Sequence, residues 1–323
     1  MTSLVIRSAL DAIAAVPYLL GFHPSRSLVV IGFDGPARRT CAVRLDLPAA
    51  GGVEKAAAIL AGNGLRRSLV LGYGPPDEVG EAAARMRAAL ESAGVPAVEA
   101  LRVADGRWWS LTCDDDCCPA EGVPYDISAS ALAAQAVYAG HVALADRAEL
   151  VRSVQPYDGP VRAAMREATE RAERLAVPGG REGLGAAVAL LSRGASGGLA
   201  DDEVARLGIL LTDLRVRDEA WIRIDGDAPA ADIAFWRDVL RRVEPPYVPA
   251  PASLLAFAAY AAGDGGLANV ALERALDADP WYSMAVLLRE VINVGVPPSK
   301  VRLHITSDEL AAAYRDDDHR EAG

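Results

Sequence analysis

Residues 113–122, CDDDCCPAEG, carry the side chains with the clearest capacity for chemistry. Thiolates from the three cysteines, with an acidic residue or His141 as fourth ligand, could bind zinc. Structural zinc sites are instead recognised by paired Cys-x2-Cys knuckles, and adjacent cysteines after a three-residue gap are not such a pair. Neighbouring aspartates would raise the pKa of these thiols, which disfavours a reactive cysteine. We therefore predict a structured loop without a metal or another cofactor.

Residues 72–77, GYGPPD, form a second candidate site. They lie between a predicted strand and an alanine-rich helix that ends near Gly94, an order that resembles a phosphate-binding turn. A dinucleotide fingerprint would place glycine where Asp77 stands, and no P-loop lysine follows. The pattern therefore favours a tight turn with proline at the first helical position. If a ligand does bind near this turn and the 113–126 loop, the candidate residues are Arg44, Asp46, Tyr73, Asp77, Cys117, Cys118 and Glu121.

The first half of the chain has the pattern of a mixed sheet. Residues 27–33, SLVVIGF, and residues 68–71 lack alternation, which predicts two neighbouring interior strands. From residue 40 apolar and polar residues alternate, so we expect a half-exposed strand antiparallel to the first, with one apolar face formed by Cys41, Val43, Leu45 and Leu47. Residues 98–103 and 108–112 flank the turn ADGR and predict a hairpin. Residues 1–125 are thus predicted to form a Rossmann-like mixed sheet of about five strands with at least two crossover helices.

The rest of the chain has a helical pattern, which predicts a helical domain over residues 126–315 and a disordered acidic tail at 316–323. Its sharpest motif lies at 254–294, where small residues and helix breakers follow the spacing of a tetratricopeptide repeat: Gly263, Asp264, Ala268, Ala275 and Pro280. Stable arrays need about three repeats, and only one matches the pattern. We expect a helical hairpin, packed on a third helix at 283–294, whose concave side faces a partner.

Composition and charge limit the function classes. A chain of 323 residues suggests two domains, since a domain averages roughly 150 residues. A net charge of -11 provides no general attraction to nucleic acid or anionic lipid. Asp11 interrupts the N-terminal apolar run, which argues against a signal peptide, and no run approaches the roughly 20 apolar residues of a membrane span. The clustered cysteines do not form a disulfide framework, so we expect a cytoplasmic protein.

Four ordered motifs carry a family resemblance across nearly the whole chain: PYLLGFHPSRSLVVIGF (17–33), RLDLP (44–48), CCPAEG (117–122) and LLAFAAYAAGDGGLANVALERALDADPWYSMAVLL (254–288). Together they resemble the actinobacterial family catalogued as domain of unknown function 4192. The resemblance implies a cytoplasmic actinobacterial protein, and it brings no catalytic residues with it.

Two hypotheses of function follow from these patterns. The first is an accessory or adaptor protein that binds another protein through its helical domain. The alternative is an enzyme or small-ligand sensor with a site near the 72–77 and 113–126 loops. Convergent polar groups with perturbed pKa values would favour the ligand site, whereas an open apolar surface on the repeat would favour a protein partner.

Overall fold

The computed structural model describes residues 6–36, 40–49, 51–113, 119–138, 142–175, 178–224, 228–301 and 305–321. The chain divides into two compact units, Met1–Leu150 and Val151–Gly323. The first contains a mixed sheet with helices, and the second is mostly helical. The predicted mixed α/β architecture followed by a helical part is therefore confirmed.

The sheet of the first unit has six strands among the described residues, in the order β2-β1-β3-β4-β5-β6. The strands are β1 (Ser27–Phe33), β2 (Cys41–Asp46), β3 (Arg67–Tyr73), β4 (Ala97–Ala104), β5 (Arg107–Ser110) and β6 (Val123–Pro124). β1 is antiparallel to both β2 and β3, β3 and β4 are parallel, and β4–β5–β6 are antiparallel. The predicted β1–β2 pair, the β4–β5 hairpin and the interior positions of β1 and β3 are confirmed. The expectation of about five strands missed the short β6.

Five α-helices are described in this part of the chain: α1 (Ala9–Leu20), α2 (Val53–Gly62), α3 (Pro76–Ser92), α4 (Ala131–Tyr138) and α5 (Arg147–Arg152). α1 begins after Ser8, whose side chain accepts a hydrogen bond from the Asp11 amide. Gly21, at φ 80°, ends α1 in the left-handed conformation that glycine adopts without strain. α2 connects β2 to β3 and α3 connects β3 to β4, so both are crossover helices.

α2 and α3 cover one face of the sheet, which we call the first face. Its core includes Leu28 and Val30 of β1, Val70 of β3 and Met86 of α3. The apolar side of β2 packs against this core, as its alternation predicts, through Cys41, Val43, Leu45 and the following Leu47. The opposite side of β2 therefore belongs to the second face of the sheet.

Gly72 permits the close approach of α3 to β3. A Cβ atom at this position would lie 2.3 Å from Cγ1 of Val79 on α3. This contact explains the glycine without any phosphate, since helix and strand could not pack at this distance with a side chain between them. The prediction of a tight turn followed by a helix with proline in its first turn is confirmed for this segment.

Gly72→Ala is expected to lower the free energy of unfolding by about 1–3 kcal/mol, because the added methyl overpacks the β3–α3 contact. Gly80→Ala is the matched control, since no atom lies within 4 Å of its added Cβ and alanine favours the helix. Urea denaturation followed by circular dichroism measures both variants. Equal stabilities for the two alanine variants would contradict the packing role of Gly72.

The second unit is built from helices, which are α6 (Gly159–Arg174), α7 (Gly180–Gly197), α8 (Asp201–Leu210), α9 (Leu214–Ile222), α10 (Pro229–Arg242), α11 (Pro249–Ala261), α12 (Gly265–Ala278), α13 (Ser283–Asn293) and α14 (Ser307–Glu321). α11 is the central helix, because every residue from 250 to 260 is buried and the helix contacts α9, α10, α12 and α13. A helix that is apolar on all sides is expected to be buried in this way.

The end of the chain is only partly described. The predicted acidic tail, residues 316–323, falls where the side chains lie outside the described residues. Within the part of the chain that is described, no helix has the length and apolar character needed to span a bilayer.

Candidate functional site

Polar side chains converge on the second face of the sheet, where β1 begins and β2 and β3 end. Ser27 pairs with Asp46 of β2 on one side and with Tyr73 of β3 on the other, so the three residues form one row across the strands. Arg44 lies two residues before Asp46 on the same side of β2. We call Ser27, Arg44, Asp46 and Tyr73 the sheet-edge site, where the edge is the end of the strands and not an outer strand.

The guanidinium of Arg44 holds the sheet-edge site together. Its Nε donates a 2.9 Å hydrogen bond to the Ser27 hydroxyl, and its Nη2 pairs with the Asp46 carboxylate. Its Cζ also lies 5.7 Å from the centre of the Phe22 ring. Ser27 is fully buried, and its hydroxyl donates to the Ser25 carbonyl at 2.7 Å. These contacts fix the orientation of Arg44.

The hydroxyl of Tyr73, which pairs with Ser27 across β1 and β3, is chemically unusual. It is buried and has no hydrogen-bond partner among the described residues. Burial raises the pKa of Tyr73 strongly, and the nearby Tyr125 raises it further. The phenol therefore stays protonated and can offer a hydrogen bond to a ligand, whereas it is unsuited to act as a base.

Arg102 connects the 72–77 turn with the loop after the cysteine segment. Its Nε donates a 3.0 Å hydrogen bond to the Gly74 carbonyl, and its Cζ lies 4.3 Å from the centre of the Trp109 ring. The Trp109 indole donates to the Ala120 carbonyl at 3.0 Å. Gly122, at φ 78°, packs so closely that an added Cβ would lie 2.4 Å from the indole ring. The two loops of the predicted ligand site are thus neighbours.

The predicted site residues are only partly brought together. Arg44, Asp46 and Tyr73 share one side of the sheet, whereas Asp77 is exposed in the first turn of α3, which covers the first face. Glu121 is exposed, and its carbonyl accepts a hydrogen bond from Arg107 at 3.3 Å. Cys117 and Cys118 lie outside the described residues. Four further residues interact with the predicted site residues or the two loops, and the sequence analysis did not predict them. They are Ser27, Arg102, Trp109 and Tyr125.

The Cys41 thiol shows no sign of activation. Cys41 and Cys113 are both half-buried. Burial raises the pKa of Cys41, which keeps it a neutral thiol that packs like a small apolar side chain. Among the described residues no group of three or more histidine, cysteine or acidic side chains could hold a metal ion.

The second unit presents an apolar surface at its repeat-like hairpin. Trp281, just before α13, is 88% exposed, and Leu287 and Val294 are 61% and 66% exposed. Leu287 lies within α13, and Val294 follows its last residue as the C-cap. The opposite side of α13 is buried through Met284, Ala285 and Leu288. We call Trp281, Leu287 and Val294 the α13 surface.

A sequence model of the family described as "Domain of unknown function (DUF4192)" matches residues 10–299. The chain belongs to this family. The resemblance carried by the four sequence motifs is therefore confirmed at the level of the family. Neither a curated protein nor a solved structure matches the chain.

Replacing Tyr73 with phenylalanine tests whether the buried Tyr73 hydroxyl lacks a hydrogen-bond partner. Tyr73→Phe is expected to raise the free energy of unfolding by about 1–3 kcal/mol, because it removes a buried donor that lacks an acceptor. In Tyr247→Phe, the lost hydroxyl donates to Glu173 at 2.7 Å, so this control should lower the free energy of unfolding by about 1 kcal/mol. Chemical denaturation of both variants gives the comparison. Destabilisation by Tyr73→Phe would show that its hydroxyl already has a partner.

Proposed function

We propose that this protein is an accessory or adaptor protein of the cytoplasm that binds another protein through its helical unit. The observation that carries this proposal is the exposure of Trp281, Leu287 and Val294 on the α13 surface. Large exposed apolar side chains grouped on one element are typical of protein-binding sites, and tryptophan is especially common at their centres.

The packing of the three helices supports a tetratricopeptide-like interpretation. α11 packs against α12, and α13 contacts both. Ala268 and Ala275 of α12 are fully buried, so small side chains lie where the helices meet. Gly263, at φ 86°, ends the first helix, and the Asp264 side chain caps the second by accepting from the Leu267 amide at 2.9 Å. Repeat stacks normally end on a polar face, so the apolar α13 surface fits a partner that continues the stack.

Capture of a partner by variant proteins tests the adaptor function. Immobilised protein is exposed to an extract of its native host, and bound proteins are quantified by mass spectrometry. Leu287→Asp and Trp281→Ala are expected to reduce the captured partner at least tenfold, because each removes apolar contact area at the α13 surface. The matched control is Val161→Asp, which places the same charge at a 42% exposed valine of α6 and should leave capture unchanged.

Self-association is the outcome that would overturn this proposal. Analytical ultracentrifugation of the wild type and of Leu287→Asp separates the two cases. If the wild type is a dimer that Leu287→Asp converts to a monomer, the α13 surface joins two copies of the chain. Equal capture by the wild type and both α13 variants would also remove the adaptor function.

A second candidate function is a small-ligand sensor or an enzyme at the sheet-edge site. The buried Tyr73 hydroxyl, which has no hydrogen-bond partner among the described residues, favours it, since a polar ligand could accept this hydrogen bond. In this proposal β3, α3 and β4 act as a Rossmann-like unit that positions the site. Thermal-shift screening of polar metabolites tests it, because true ligands should stabilise the wild type and lose affinity for Tyr73→Phe.

A further inference from the structure

A cleft of about 240 Å³ opens in the helical unit. It is lined by Arg162 of α6, by Arg274 and Asp277 of α12, and by apolar side chains that include Val243 and Val248. Two arginines therefore line one cleft, although the net charge of the chain is -11. The overall charge does not explain this local concentration of positive charge.

Arg274 is the most deeply buried charge in this cleft. Only 8% of the residue is exposed, and its Nη2 donates a 3.1 Å hydrogen bond to the Leu240 carbonyl. Its buried Nη1 has no acceptor within the part of the chain that the structure describes. The described residues also provide no carboxylate in an ion pair with Arg274. Buried arginines are normally paired, since an uncompensated buried charge is costly.

Arg162 adds a second unsatisfied donor. Its Nη2 lies 3.3 Å from Oε2 of Glu244, but its buried Nη1 has no acceptor among the described residues. The nearby Arg241 makes other contacts, with its Cζ 3.8 Å from the centre of the Tyr157 ring and its Nε bonded to the Gln155 carbonyl. Burial, followed by the charges of Arg162 and Arg241, lowers the pKa of Arg274 to about 10. The surroundings therefore disfavour its positive charge.

The carboxylates at the cleft do not remove this imbalance. Glu244 pairs with Arg162 through Oε2, and its buried Oε1 has no hydrogen-bond partner among the described residues. Asp277 is exposed on α12. Guanidinium groups bind the oxygens of phosphates and carboxylates through paired, charge-assisted hydrogen bonds. We propose that this cleft binds a small oxyanion, the phosphate or carboxylate group of a small molecule, between Arg162 and Arg274.

The size of the cleft restricts the ligand. Drug-sized ligands occupy pockets of roughly 300–1,000 Å³, so a cleft of about 240 Å³ fits a phosphate or a short acid and little more. The apolar wall formed by Val243 and Val248 would contact the carbon atoms of such a ligand. This site is independent of the proposed protein-binding role, since its residues are not those of the α13 surface.

Thermal unfolding in matched salts tests the proposal on the full-length protein. The melting temperature is measured in increasing sodium phosphate and sodium acetate, with sodium chloride at equal ionic strength as the reference. We expect phosphate or acetate to raise the melting temperature of the wild type above its value in chloride. Because phosphate also stabilises folded proteins non-specifically, only stabilisation by phosphate that methionine variants of the two arginines lose assigns a phosphate ligand. Stabilisation by acetate that these variants lose assigns a carboxylate.

Variants link this stabilisation to the two arginines. Arg274→Met and Arg162→Met keep the apolar stem without the charge, and each is expected to weaken binding of the active anion at least tenfold. Arg206→Met, at an exposed arginine of α8 outside the cleft, is the control for loss of one positive charge. Equilibrium dialysis with radiolabelled phosphate or acetate measures binding directly, and Arg162→Met keeps the test valid if Arg274→Met does not fold. Anion binding that both methionine variants retain, or a wild type that responds equally to all three salts, would overturn the proposal.

Discussion

Trp236→Ala is expected to lower the free energy of unfolding by about 3–5 kcal/mol, enough to unfold much of the helical unit near its normal melting range. Trp236 is 2% exposed and is one of the largest fully enclosed side chains of the protein. Its ring meets Phe235 edge to face, with ring centres 4.9 Å apart. Truncation removes the transfer energy of the indole and leaves a cavity that the neighbouring helices cannot close completely.

Trp281→Ala is the matched control, because it makes the same chemical change at a residue that is 88% exposed. It should change the free energy of unfolding by less than about 0.5 kcal/mol. Urea denaturation followed by far-ultraviolet circular dichroism avoids the loss of tryptophan fluorescence in both variants. A similar cost for the two substitutions would show that Trp281 is buried against another part of the protein, which would also remove it from the α13 surface.

The strand pattern of the first unit could be predicted because burial leaves a local signature. The unbroken apolar run of β1 reflects neighbours on both sides, and the alternation of β2 reflects one buried and one polar face. The same alternation places Arg44 and Asp46 on the side opposite Cys41. The short β6 has no such signature, because two residues are too few to show any period.

The sheet-edge site was harder to predict, because it depends on pairing between distant segments. Ser27 belongs to this site because β1 lies between β2 and β3. The order of the strands could not be predicted from the sequence. Asp77 follows Tyr73 by four residues, yet the intervening turn carries it to the helix on the other face. A buried serine at the start of an apolar strand was the one available signal for Ser27.

The arginine cleft left no signal in the sequence at all. Arg162 belongs to a helix whose interleaved arginines and glutamates indicate a solvated face, and Arg274 lies within the repeat-like motif. They meet only because α6 and α12 contribute to the same cleft, more than a hundred residues apart. Local periodicity reports whether a position is buried, whereas contacts between distant helices decide which charged groups share a cavity.

Leu71→Ala is the prediction that tests the centre of the sheet, with an expected loss of about 2–5 kcal/mol in the free energy of unfolding. Leu71 is fully buried on β3, where it pairs with Val29 of β1 and Leu101 of β4. An interior strand has neighbours on both sides, so the space left by the truncated side chain cannot fill with water or close by moving an edge. Guanidinium denaturation followed by circular dichroism gives the loss.

Leu71→Met tests whether lost side-chain volume, rather than a changed side-chain shape, lowers the free energy of unfolding at this position. Methionine keeps the buried volume, so the expected cost is below about 1.5 kcal/mol. The order wild type, Leu71→Met, Leu71→Ala therefore follows from a tightly packed interior position, because only the last variant leaves a cavity. A cost below about 1 kcal/mol for Leu71→Ala would mean that β3 is open on one face. The row that joins Asp46, Ser27 and Tyr73 would then lose the rigid support that a ligand site at this edge requires.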